Sequence, residues 1–348
     1  MLARIAQELF WLGRDVARAD HTARMLDGVF HTDLQGRSDG PLGEVTLTWE
    51  ALMAIIGARQ PESKEAAEGA TDPVPSMASP ADRATVVARL TLDLDNPASV
   101  RACVARARER ARTLRDVIST EMWEALNTFH LDLSQQSAAG LRTVGPYSTY
   151  RLVKQRCALF TGLASRTMMR DEARCFLEAG ERLESGDMVL RMLRVALPPD
   201  ALAAAADPSN EDADQQDTRP TLAGEALALL HAVGGFQAYR RAMRQPPTAA
   251  PVAMFLLFDR GYPGSVAAAL DVLEGALVDA DPQARTSEPV LRLARLRADL
   301  EFQQRATPDG ATLARLLGRV QEELVRVDQD IADRYFAGSE SPTPVLTA

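Results

Sequence analysis

The chain has 348 residues, 46% hydrophobic and 25% charged, enough apolar material for one large core or two of ordinary size. Its net charge of −9 argues against a generic nucleic-acid-binding surface, and no apolar run approaches the roughly 20 residues that span a bilayer. Cys103, Cys157 and Cys175 are widely spaced and odd in number, which fits free thiols in a reducing, cytoplasmic setting.

Ala, Leu and Arg are plentiful and aromatics are 5%, so the expected fold class is all-α. The first helix carries an apolar seam at Ile5, Leu9, Leu12, Val16, Ala19, Ala23, Leu26 and Phe30. Steps of four and three, sustained over three heptads, demand a helix about 40 Å long packed among other helices. Glu8, Asp15 and Asp20 within it argue against a transit peptide. Gly13 sits mid-helix, at a cost of about 1 kcal/mol relative to Ala. Close approach by a neighbouring helix is the simplest compensation.

A loop follows over 34–43, then a helix over about 42–57 with Trp49, Leu52 and Ile56 on one face. Residues 60–81 read as a polar, mobile loop and 82–92 as a helix. At the next corner, Asn96 suits an N-cap and Pro97 the first helical position. The helix over 97–117 is the most basic, and with Glu109 and Asp116 interspersed it reads as a solvated face. Ser119 and Thr120 cap a helix to Leu133, 134–147 is a polar connector, and helices follow over 149–165 and 170–196. An acidic solvated loop over 205–220 precedes helices over 222–244, 252–258, 263–277, 288–303 and 308–336, with a frayed tail beyond.

An offset of 167 lays Gly13, Asp20, Arg24, Met25 and Leu26 on Gly180, Asp187, Arg191, Met192 and Leu193. An offset of 166 lays Asp93, Pro97, Ser99 and Val100 on Asp259, Pro263, Ser265 and Val266. The expected architecture is therefore an elongated bundle of two pseudo-symmetric copies of a four-to-five-helix unit, 1–165 and 168–340, with a disordered tail over 341–348. The copies differ in charge at Arg14/Glu181, Ala17/Glu184 and Arg18/Ser185. Such complementarity suits either an interhelical ion-pair network or a cleft for a charged ligand. The ligand-binding candidates are Arg14, Arg18, Asp20, Arg24, Arg170, Glu184, Asp187 and Arg191.

The opening Met1-Leu2-Ala3-Arg4-Ile5-Ala6, Trp11-Leu12-Gly13-Arg14, Arg18-Ala19 and Thr22-Ala23-Arg24 resembles the alpha-E family, an all-helical bacterial family long without an assigned function. Further resemblance lies in Asn96-Pro97, Trp123-Glu124-Ala125-Leu126-Asn127, Gly180, Leu183-Glu184, Asp187 and Tyr335-Phe336, so it covers the chain end to end. The family pattern has an acid where this chain has Ala17, Glu-Asn at Asp20-His21, Arg at Ser185 and Arg at Gly264. Any shared site is altered accordingly. The resemblance implies company with an ATP-grasp ligase and a transglutaminase-like protein in amide or peptide modification.

No catalytic motif stands out, and no metal or cofactor is expected. His21, His31, His130 and His231 form no pair at metal spacing. Ser99 and Ser265 read as capping residues beside helix-starting prolines. The expected function is an accessory protein that binds a partner ligase or its peptide-like or anionic substrate. The alternatives are an enzyme in which Arg14, Arg18 and Arg24 hold an anion while Glu184 or Asp187 moves protons, and a purely structural scaffold.

Overall fold

The computed structural model describes residues 1–35, 49–56, 80–143, 145–197, 202, 218–281 and 283–337, and every regular element among them is a helix. The elements are α1 (Ala3–Gln35), α2 (Trp49–Ile56), α3 (Pro80–Thr91), α4 (Val100–Thr113), α5 (Thr120–Ser134), α6 (Ala138–Thr143), α7 (Tyr147–Thr167) and α8 (Glu172–Ala196). Beyond them come α9 (Thr218–Ala232), α10 (Phe236–Met243), α11 (Ala249–Phe258), α12 (Val266–Ala280), α13 (Glu288–Ala306) and α14 (Gly310–Tyr335), with a 3₁₀ turn at Ala284–Thr286. The expected tail over 341–348, the loop expected over 60–81 as far as residue 79 and most of the acidic loop lie outside the described residues, while residues 80–81 already belong to α3.

Helices α1 and α8 form the centre and pack directly on each other. Each is flanked in the same manner. Helices α4 and α7 pack on α1, with α5 against both, while α12 and α14 pack on α8, with α13 against both. Leu9, Leu12, Ala19, Ala23 and Leu26 are fully enclosed, and Val16 nearly so. Burial at about 25 cal/mol per Å² of apolar surface over such a seam is what holds α1 in place.

Gly13 and Gly180 set the distance between the central helices. A Cβ on Gly13 would collide with the Leu177 carbonyl oxygen and lie 2.9 Å from the Glu181 nitrogen. A Cβ on Gly180 would collide with the Phe10 carbonyl oxygen and lie 2.7 Å from the Phe10 carbonyl carbon. The compensation expected for Gly13 is therefore present, and it is reciprocal.

Several boundaries differ from the sequence reading. Helix α4 starts at Val100 and is capped by Ser99, whose Oγ accepts from Ala102 N at 3.1 Å and donates to the Asp93 carbonyl. Asn96 instead accepts from Ala98 N at 3.1 Å, a side-chain turn within the corner. Ser265 caps α12 in the same way, accepting from Ala268 N at 3.1 Å and donating to the Asp259 carbonyl at 2.6 Å. The segment expected as one helix over 222–244 is broken by Gly234, whose φ of 71° closes α9 before α10 begins. The connector over 134–147 contains the short α6, and α1 continues through residues 34–35.

Candidate functional site

At the α1–α8 crossing the polar residues of the two helices meet inside the protein. Arg14 and Arg18 are one helical turn apart on α1, so both point at the same part of α8. Glu184 is fully buried between them. Arg18 forms a fork, Nε to Oε1 at 2.5 Å and Nη2 to Oε2 at 2.9 Å, and Arg14 Nε donates to Oε2 at 2.9 Å. Arg14 Nη1 also donates to both carboxylate oxygens of Asp328 on α14, at 2.8 Å, and its guanidinium lies 4.5 Å from the Trp11 ring centroid. Burial alone would raise the Glu184 carboxyl, but the charges of Arg18 and Arg14 and their hydrogen bonds outweigh it and bring it down to about 2. Burial likewise opposes the charge on Arg14, and Asp328 followed by Glu184 more than restores it.

A second network adjoins the first. Asp15, buried on α1, accepts from Arg106 Nη2 at 2.7 Å and Arg110 Nε at 3.2 Å, and Arg110 Nη1 reaches Glu8 at 2.8 Å. The basic helix is therefore solvated on one face only. Arg108 and Arg112 pair with Glu109 near the surface, while Arg106 and Arg110 turn toward α1. Beyond the crossing, Arg24 Nε donates to Asp20 and Arg191 Nε to Asp187, both at 2.7 Å and both one turn along their helix.

On the other side of the crossing, α1, α7 and α8 line an open cavity of about 460 Å³. Its wall includes Ala17, Asp20, His21 and Arg24 from α1, Thr161 from α7, and Arg174, Glu178, Glu181 and Ser185 from α8. Asp20 Oδ1, His21 Nδ1 and Arg174 Nη1 are cut off from solvent and have no hydrogen-bond partner among the described residues, a costly condition for polar atoms. Burial raises the Glu181 carboxyl and lowers His21, with Asp20 only partly offsetting the latter.

Of the sequence-predicted residues, Arg14, Arg18 and Glu184 meet in one closed cluster. Asp20 and Arg24 line the cavity, Asp187 and Arg191 pair on α8 with Gln321 donating to Asp187 at 3.3 Å, and Arg170 is exposed before α8 begins. Asp328, Asp15, His21 and Arg174 were not among the candidates. Asp328 lies in the last long helix, where sequence spacing gives no sign that it reaches Arg14. The thiols are unpaired. Cys103 and Cys157 are buried, Cys175 is half-buried, and burial pushes Cys103 and Cys175 up to about 11.

Among known proteins, the model of the Alpha-E family, described as a predicted alpha-helical domain with a conserved ER motif, matches residues 1–336. Curated relatives include uncharacterized proteins of Mycobacterium bovis and Mycobacterium tuberculosis, 25% identical over 95% of this chain. The chain spans 36% of the length of those relatives. No solved structure matches it.

Proposed function

Because the chain belongs to the Alpha-E family, with its Glu-Arg pair read as Ala17-Arg18 in α1 and Glu184-Ser185 in α8, we propose that it is an accessory binding module built from two copies of one helical unit. The duplication accounts for the paired flanking helices, the reciprocal glycine contacts and the equal Ser99 and Ser265 caps. One acid and one base of the doubled motif survive, on opposite helices, and they are each other's partners.

The observation that carries the binding reading is the contrast between the two sides of the crossing. Arg14 and Arg18 already hold carboxylates, so an anion reaching them must displace Glu184 or Asp328. The cavity, by comparison, falls in the range of small-molecule sites and is lined by residues that include Asp20, His21 and Arg174, each with a buried polar atom lacking a partner among the described residues. An enzyme working through Glu184 needs a carboxylate that exchanges protons near neutral pH, and Glu184 is held at about 2.

The occupant is a peptide-like substrate or a segment of a cytoplasmic partner, and the family resemblance suggests an ATP-grasp ligase or a transglutaminase-like protein as that partner. Affinity purification of the tagged chain from its native host, under native salt, tests the partner. Recovery of an ATP-grasp ligase in stoichiometric amount is the expected result. Its absence from the recovered proteins, with the tagged chain folded and abundant, removes the ligase from the proposal.

A further inference from the structure

The cavity occupies the place that the ion-pair cluster occupies on the other side of the crossing. At an offset of 167, Val153, Cys157, Phe160 and Ala164 of α7 correspond to Val320, Leu324, Val327 and Ile331 of α14, and all eight are buried. The same offset carries the four charged residues of the cluster onto the cavity wall. Arg14 falls on Glu181, Arg18 on Ser185, Glu184 on Ala17 and Asp328 on Thr161. Three of the four cavity positions hold short, uncharged side chains, and that shortening accounts for the space of about 460 Å³.

The charge balance differs as well. In the cluster, two guanidiniums and two carboxylates cancel. Of those four positions the cavity keeps one charge, the carboxylate of Glu181. Around it, Arg24 is spent on Asp20, and Arg174 and Glu178 add one charge of each sign to the wall. The ion pair of Glu181 is a long one, to the adjacent Arg182 at 3.7 Å. Asp20 gives Oδ2 to Arg24 and leaves Oδ1 without partner or solvent among the described residues. Burial lowers the pKa of His21 and so favours the neutral imidazole, which carries one acceptor nitrogen. At the position of the Arg14 guanidinium the wall thus carries the Glu181 carboxylate, with Arg174 Nη1, unpartnered among the described residues, on the same wall.

We propose that this cavity binds the guanidinium or primary ammonium group of a ligand, carried on a small molecule or on the end of a peptide, with Glu181 and Asp20 as its acceptors. The proposal rests on the binding-module reading and names the ligand class of that site. The ligand's cation takes the part that Arg14 and Arg18 play in the cluster, a charge-assisted hydrogen bond to a carboxylate. The cavity exceeds what the cationic group alone would fill, so an apolar or peptide stem is accommodated against Val16, Phe160 and Leu177.

The test is isothermal titration of the full chain with arginine amide and agmatine, with glutarate as the anionic contrast. Wild-type protein is expected to bind arginine amide saturably at one site. Glu181→Gln is expected to weaken binding at least tenfold. The double variant Ala17→Glu/Ser185→Arg supplies the pair that Glu184 and Arg18 form in the cluster, and it is expected to abolish binding while raising the melting temperature. That rise separates a filled cavity from a misfolded protein. Absence of saturable binding by both cationic probes overturns the proposal, as does undiminished binding in a folded double variant. Binding of glutarate that disappears in the double variant overturns the cationic ligand class and leaves the binding-module reading standing.

Discussion

Replacing Gly180 with alanine sets two effects of opposite sign against each other. Helix propensity favours alanine over glycine in a helix interior by about 1 kcal/mol. Against it, the new Cβ would lie 2.7 Å from the Phe10 carbonyl carbon and 3.0 Å from the Phe10 Cα, and closer still to the Phe10 carbonyl oxygen. These are backbone atoms of a long helix, so no side-chain rotation relieves the overlap. The helices must separate, which loosens packing along the seam and stretches the Arg18–Glu184 fork. Overpacking of this kind costs about 1–3 kcal/mol, occasionally more, and the presence of a buried ion pair at the crossing places Gly180→Ala at the upper end. Gly275, in α12, is the control: a Cβ there meets nothing within 4 Å, so Gly275→Ala is expected to stabilise by about 1 kcal/mol. Urea unfolding followed by circular dichroism measures both. A Gly180→Ala protein as stable as wild type, or more so, refutes the close crossing.

Glu184→Gln removes the negative charge shared by two buried arginines and replaces one of its two acceptor oxygens with a donor, and is expected to cost about 3–5 kcal/mol. Because the folded-state pKa of Glu184 is depressed to about 2 from its ordinary 4.5, its contribution is complete above pH 4.5 and is lost as pH falls toward 2. Acid unfolding of Glu184→Gln should therefore lack part of the wild-type loss in that window, which a pH series of urea midpoints would show. Ser99→Ala and Ser265→Ala each remove an N-cap with the same pair of hydrogen bonds and should destabilise by similar amounts, about 0.5–2 kcal/mol; a large inequality would show that the two corners are not equivalent. In the folded protein, Cys103 and Cys157 should resist a thiol reagent and react only on unfolding, while the half-buried Cys175 reacts first. Rapid labelling of all three would mean that the core opens readily.

The centre of the fold was legible because its signals are periodic or sterically unusual. The seam from Leu9 to Leu26 identified α1 as a packed helix, and Gly13 in its middle announced a close neighbour, since a glycine there has no local benefit. Helix starts were less legible. Asn96-Pro97 and Ser99 both carry capping chemistry within four residues, and which one caps depends on how the corner docks, with Ser99 Oγ turned back to the Asp93 carbonyl. The break between α9 and α10 was missed because Gly234 and Gly235 stand in an otherwise continuous helical pattern.

For the site, the positions that differ in charge at the offset of 167 fall on two sides of the crossing, Arg14, Arg18 and Glu184 in the cluster and Ala17, Glu181 and Ser185 on the cavity wall. Periodicity places Arg14, Arg18 and Ala17 on adjoining faces of α1, but it does not say which face looks at α14 and which at α7. That choice puts Arg14 and Arg18 in a closed cluster, and Ala17, Asp20 and Arg24 on the cavity wall. The acidic neighbours Glu109 and Asp116 make Arg106 and Arg110 look solvated in the sequence. Their partners, Asp15 and Glu8, lie about 90 to 100 residues earlier and come into reach only through tertiary packing.

A crystal structure of the full chain grown with arginine amide tests the central claim most directly. The account predicts density for the guanidinium between Glu181 and Asp20, with the Arg14–Glu184–Arg18 cluster unchanged. A ligand seated on Arg14 or Arg18 in place of Glu184, or an empty cavity at saturating concentration, would contradict it.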